Sequence, residues 1–136
     1  MGRLPKIIQY INNALDGISL VGRKVVGGSS MLDLEKDVWT IYKDCESAVF
    51  LIKLEILDVE APDKTKLEVN LERPDYAIFL AEDYLKNAKG SIDKEELKKA
   101  LEETRSARNV MAEVYSQVKK ENLRIIRENR KRLYQS

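Results

Sequence analysis

Apolar residues recur at helical spacing through most of the chain, and the places where that spacing fails divide it into elements. Leu4, Ile8, Ile11, Leu15 and Ile18 fall within about 80° of one another at 100° per residue, which predicts a first helix from about Leu4 to Ile18. Gly17, Gly22, Gly27 and Gly28 then punctuate residues 17–30, and GGSS reads as a breaker whose hydroxyls cap the helix that follows. Residues 1–30 are therefore expected to form a Gly-interrupted arm, with residues 31–136 as the bundle proper.

The clearest period runs from about Leu32 to Leu57. Leu34, Val38, Ile41, Tyr42, Cys45, Val49, Ile52 and Ile56 make one stripe, and Trp39, Phe50 and Leu57 make a second. Leu51 and Leu54 fall on the far side. The C-terminal half is thus apolar nearly all round, which points to a central position or to burial by another subunit. Leu51 and Leu54 are candidate oligomer contacts for that reason.

Residues 58–73 form a connection containing Pro62, where Leu67, Val69 and Leu71 alternate briefly as in an extended segment. One strand alone makes no sheet. Arg73-Pro74-Asp75 then starts a third helix, with proline at the first helical position and an acid in the first turn. Ala77, Leu80, Ala81, Tyr84 and Ala88 make its packing stripe, whose small side chains permit close helix approach, and Gly90 ends it. Phe79 lies opposite that stripe and reads as a contact for another subunit or for the long connection.

Asp93 followed by Glu96 is a capping pattern for a fourth helix that runs without Gly or Pro from Lys94 to about Leu133. Forty residues at ~1.5 Å each give roughly 60 Å, about twice the height of a small helical domain, so the helix overhangs the bundle or bends. Its seam runs Leu97, Ala100, Leu101, Thr104, Ala107, Met111, Val114 and Val118, then Asn122, Ile125, Asn129 and Leu133. Asn122 and Asn129, seven apart, resemble polar seam positions that fix register between helices, and with Ile125 they are candidate intersubunit contacts. A break near Ser116 to Val118 that folds the last turns back is the alternative. The predicted class is all-α: a three-to-four-helix bundle with a basic N-terminal helical arm and a long, overhanging C-terminal helix.

Composition fits a chain of 136 residues folded as one domain, with 43% hydrophobic and 35% charged residues. There is no histidine, so Ser-His-Asp triads, Cys-His dyads and His-ligated metals are excluded together. One cysteine makes no internal disulfide, and Cys45 on the apolar seam reads as a small buried hydrophobe. The apolar run ended by Lys53 falls far short of the ~20 residues that cross a bilayer. The N-terminal sequence also lacks a signal-peptide core and a small-residue cleavage site. An intracellular location, cytoplasmic or inside a nucleoprotein particle, is expected. Abundant Lys and Glu with few Gln lean toward a thermophile composition.

The net charge of +1 conceals a segregation. Residues 1–30 carry +3, residues 31–73 carry −5, residues 74–118 carry −2 and residues 119–136 carry +5. Basic ends around an acidic middle suggest a surface for an anion, or head-to-tail attraction between copies. Lys120, Arg124, Arg127 and Lys131 fall within about 60° on the helical wheel, a stripe long enough to face several phosphates. Arg130 and Arg132 lie beside it, and Arg3, Lys6, Arg23 and Lys24 add charge if the arm folds alongside.

Enzyme chemistry has little to stand on. Lys24 to Ser30 has glycines and hydroxyls before a helix but lacks P-loop spacing. Glu55 with Asp58, and Glu72 with Asp75, have spacings that suit Mg²⁺, but no facing ligand pair accompanies them. Neither a metal nor a cofactor is expected. Trp39, Tyr42, Phe50, Tyr76, Phe79 and Tyr84 are spaced as core aromatics, with Phe79 as the exception open to base stacking. The sequence expectation is a non-enzymatic, oligomerising subunit that binds nucleic-acid backbone without sequence specificity, as a packaging or coat-type protein does. A protein-protein adaptor, docking its basic ends on an acidic partner, is the second expectation.

Overall fold

A computed structural model of the chain describes residues 3–56 and 74–135, which form four packed α-helices and no strand. Helix α1 spans Leu4–Val26, a 3-10 turn spans Met31–Leu34, α2 spans Glu35–Ile56, α3 spans Pro74–Asp93 and α4 spans Leu97–Gln135. The alternation at Leu67, Val69 and Leu71 and the acids Asp58 and Glu72 lie outside the described residues.

Helix α1 corrects the expected stop at Ile18. It continues for two more turns through Gly17 and Gly22, and it buries Ile7, Ile11, Ala14, Ile18 and Val21. Gly17 is needed because a Cβ there would sit 2.7 Å from Cγ1 of Ile41, so the glycine lets α1 approach α2 closely. Residues 4–26 thus share the common core. The helix ends in a Schellman arrangement: Ser29 N–H donates to Lys24 O at 2.9 Å, Gly28 N–H donates to Val25 O at 3.0 Å, and Gly28 takes φ +104°. Ser30 then caps the next turn, its Oγ accepting from Leu32 N–H at 3.2 Å.

Ion pairs fix the order of the helices. Arg3 meets Glu55 at 3.4 Å and Lys24 meets Asp37 at 3.0 Å, so α1 and α2 run antiparallel. Arg108 meets Glu46 at 3.4 Å, while Asn122 Nδ2 donates to Leu32 O at 2.9 Å, which makes α4 antiparallel to α2. A tight turn joins α3 to α4, and Ser91 Oγ donates to Glu103 at 2.7 Å across that antiparallel pair. Helices α2 and α3 therefore run the same way. The ends of α1 and α4 and the starts of α2 and α3 share one end of the bundle.

The core holds aliphatic side chains, alanine, two methionines and Cys45, with no aromatic ring among the buried hydrophobics. The stripes expected on α2 and α4 are buried down to Val118, except that Tyr42, Ile56 and Leu97 pack half-buried at their margins. On α3 the stripe keeps Ala77, Ala81 and Ala88 but turns toward Ile78, Leu85 and Ile92, leaving Leu80 exposed. Gly90 does not end that helix, which runs on to Asp93. The expected Asp93 cap is replaced by a second Schellman arrangement. Glu95 N–H donates to Ile92 O at 2.9 Å, Glu96 N–H donates to Ser91 O at 2.8 Å, and Glu95 itself takes φ +61°.

Candidate nucleic-acid interface

At 39 residues α4 is about 58 Å long, against about 30 to 35 Å for each partner helix. It is continuous through Ser116 and Val118, so the overhang is realised and the folded-back alternative is not. Val118 is the last buried residue on it, and Asn122 and Ile125 are the last that are half-buried on the seam. Beyond them, among the described residues, no other helix extends far enough to pack on it.

This clear stretch holds the predicted cations. Lys120, Arg124, Arg127, Arg130, Lys131 and Arg132 are all exposed. Arg124 is not an independent one: its Nε and Nη2 donate to Glu121 and its Nη1 donates to Glu128 at 2.6 Å. The hydrogen bond and charge of Glu121, with Glu128, push the guanidinium pKa further up, and the bond from Arg124 holds the Glu121 carboxyl below its usual range. The N-terminal cations divide between the two ends. Arg23 and Lys24 lie at the overhang's end, Lys24 engaged with Asp37, whereas Arg3, paired with Glu55, and Lys6 lie at the far end. The structure does not bring Arg3 and Lys6 to the C-terminal stripe.

The candidate oligomer contacts scatter. Asn122 is committed within the chain, donating to Leu32 O and to Glu35 Oε1 at 3.2 Å. It ties α4 to the start of α2, a role helical spacing does not announce because its partner is 90 residues away. Leu51 packs half-buried against the core, so the all-round apolar half of α2 is not central, and Leu54 and Phe50 point to solvent. Phe79 is exposed at the rim of a cavity of about 90 Å³ lined by Ile18, Val21, Val25 and Met31. Asn129 is exposed.

The aromatics overturn the core reading. Trp39, Phe50 and Tyr76 are exposed, Tyr42 and Tyr84 are half-buried, and Phe79, the expected exception, is exposed too. Helices that approach as closely as α1 and α2 at Gly17 have room for Ile, Val and Ala between them, and the rings are displaced to the edges. Trp39 stacks on Tyr42, with centroids 5.2 Å apart and planes at 28°, and leans on Tyr115 of α4 at 4.9 Å. Tyr134 is exposed among the C-terminal cations, a placement legible in the run Arg130-Lys131-Arg132-Leu133-Tyr134, although it is not among the aromatics singled out from the sequence.

A larger cavity, about 460 Å³ and open, lies between α1 and α2 and is lined by Lys6, Tyr10, Glu46, Ser47, Phe50 and Leu51. Among the described residues no group of His, Cys, Asp and Glu is placed to hold a metal ion, and no helix is long and apolar enough to cross a membrane. The molecule belongs to the all-α helical bundles, with a cationic helix extended beyond the packed core. No protein-family model matches the chain, and neither a curated protein nor a solved structure does.

Proposed function

We propose that the chain is a non-enzymatic subunit that binds nucleic-acid backbone without sequence specificity through the projecting end of α4. The observation that carries this reading is the stretch after Ile125, where the helix leaves the bundle and exposes Arg127, Arg130, Lys131 and Arg132 on several sides. A polyanion approaches such a rod without displacing any packed element, and each phosphate neutralised releases condensed counterions. The sole cysteine is buried and the chain has no histidine, so nucleophilic and general-base chemistry have poor candidates. Arg127 and Lys131 carry the stripe, while Arg124 contributes less because Glu121 and Glu128 already satisfy it.

The test is fluorescence anisotropy of a labelled mixed-sequence duplex over a range of salt. Affinity is expected to fall steeply with salt, with a log-log slope of about −0.9 for each phosphate contacted. Reversing Arg127 and Lys131 to Glu is expected to weaken binding at least about tenfold and flatten the slope, with Arg124→Glu milder. A duplex that shows no salt-dependent binding sinks the proposal. Oligomerisation is part of the same reading and is supported by the exposed apolar side chains Phe50, Leu54, Phe79 and Ile126. These also favour the second reading, an adaptor that docks on another protein, which predicts salt-sensitive self-association and indifference to the duplex.

A further inference from the structure

Val38 points into the core, so Trp39 is turned about 100° to the edge of α2 that faces α4. There it does not fill a cavity. It lies across Tyr42 and Tyr115, and it keeps 40% of its surface open. The Tyr42 hydroxyl donates to Glu46 at 3.0 Å, and Glu46 also accepts from Arg108, so the supporting ring and its acid are fixed from behind. Glu35, the other acid on this side, accepts from Asn122. Both carboxylates are engaged by hydrogen bonds from the chain itself, although Glu46 stays partly open to solvent.

The rim of this aromatic surface is cationic. Lys36 and Lys43, three residues before Trp39 and four after, lie on the same side of α2 and are exposed. Lys119 reaches over Tyr115 from α4, its Nζ 5.7 Å from the ring centroid. From Lys119 the same side of α4 continues through Leu123 and Ile126 to Arg130, about 16 Å further along the helix. A flat ring held by two others, with ammonium groups around it and a cationic rod leading away, has the parts of a single-strand binding surface: a stacking face plus charge that tracks a backbone.

We propose that Trp39, supported by Tyr42 and Tyr115 and framed by Lys36, Lys43 and Lys119, stacks an unpaired base of single-stranded nucleic acid whose backbone continues onto the end of α4. This rests on the nucleic-acid reading above and narrows it, because a duplex keeps its bases stacked on one another and offers Trp39 no free face. The ring is already ordered by its neighbours, so little side-chain freedom is lost on binding. A membrane is the poorer occupant: the exposed apolar side chains on this side, Trp39, Leu123 and Ile126, lie among Lys36, Lys43, Lys119 and Arg130 rather than forming a broad apolar face.

The chain has one tryptophan, so its emission reports this surface alone. The full chain is titrated with oligo-deoxythymidine and, separately, with a mixed-sequence duplex, following tryptophan emission and the anisotropy of labelled DNA. The single strand is expected to quench the emission and the duplex to leave it nearly unchanged. Trp39→Leu, with helicity checked by circular dichroism, is expected to lose about tenfold in single-strand affinity while its duplex affinity stays within about twofold. Lys36→Glu with Lys43→Glu changes only exposed side chains and is expected to weaken single-strand binding without disturbing the rings, which keeps the test decisive if Trp39→Leu does not fold. Salt-dependent binding of both DNAs with unaltered emission and no effect of these variants overturns the stacking site and leaves the backbone reading standing. No binding of either DNA removes both. Quenching by phosphatidylserine vesicles in the absence of DNA binding overturns the proposal in favour of a lipid surface.

Discussion

Arg105 is the buried charge of α4, and among the described residues its Nε and Nη2 have no hydrogen-bond partner. Two guanidinium nitrogens removed from water without acceptors cost stability, because their desolvation is not recovered by pairing. Met has a similar length, no polar atom and adaptable torsions, so Arg105→Met is expected to raise the unfolding free energy by about 1 to 2 kcal/mol. Urea denaturation checks this, and a destabilised variant would mean that the guanidinium has an acceptor after all. Cys45 gives a pH signature from the same core. Burial pushes its thiol pKa up from 9.0 to about 12, and the charge of Asp44 adds to that. Between those two values the unfolded chain has released a proton that the folded chain retains, so stability is full below pH ~9 and declines as pH rises, by at most about 1.4 kcal/mol per unit from this group. Thiol alkylation near pH 8 is accordingly expected to follow unfolding; fast labelling of the native protein would contradict the burial.

At the scale of elements, α1 and α3 end in the same hydrogen-bonded arrangement, but only one of them uses the residue suited to it. Gly28 takes positive φ at the end of α1, whereas Glu95 takes it at the end of α3. A left-handed conformation costs an L-residue with a Cβ about 1 kcal/mol or slightly more, so Glu95→Gly is expected to stabilise the protein by about that amount, read as a rise in melting temperature of several degrees. A fall would show that the Glu95 side chain does something its exposed position hides. The same helix ends explain what was legible in advance. Polar residues that cap locally, such as Ser30, and stripes with regular spacing, such as Val38 to Ile52 and Ala100 to Val118, are determined by near neighbours in sequence. Gly17, Asn122 and Trp39 are not, since each depends on a distant partner: Ile41 against the missing Cβ, Leu32 and Glu35 for the amide, Tyr115 for the indole. Spacing alone therefore makes Gly17 look like a break, whereas it is a contact. Gly90 has the look of a stop, yet it lies exposed inside α3 with nothing within 4 Å of where a Cβ would be. The cationic overhang is legible because charge and helical length need no partner, and the pairing of Arg124 with Glu121 and Glu128 follows from the same i,i+3 and i,i+4 spacing.

For the whole molecule, the bundle and the projection have separate physical origins, so they are expected to be separable. The core closes at Val118, the Asn122 amide bonds to Leu32 O and Glu35, and beyond Leu123 the seam adds little but Ile125. Truncation after Leu123 removes Arg124, Arg127, Arg130, Lys131 and Arg132 with one glutamate, a loss of four positive charges. It is expected to leave the helical bundle folded, with a change of no more than about 1 kcal/mol, because only Ile125 gives up substantial apolar contact. Binding of nucleic-acid backbone is expected to fall by orders of magnitude at moderate salt, since the lost cations set the counterion term. Circular dichroism and anisotropy on the same preparation measure the two effects together. A truncated chain that melts far lower would show that Ile126, Leu133 and Tyr134 are covered in solution by another copy. In that case the melting temperature of the full chain rises with its concentration, as mass action requires of any state stabilised by association, and the projection is an assembly element before it is a nucleic-acid one.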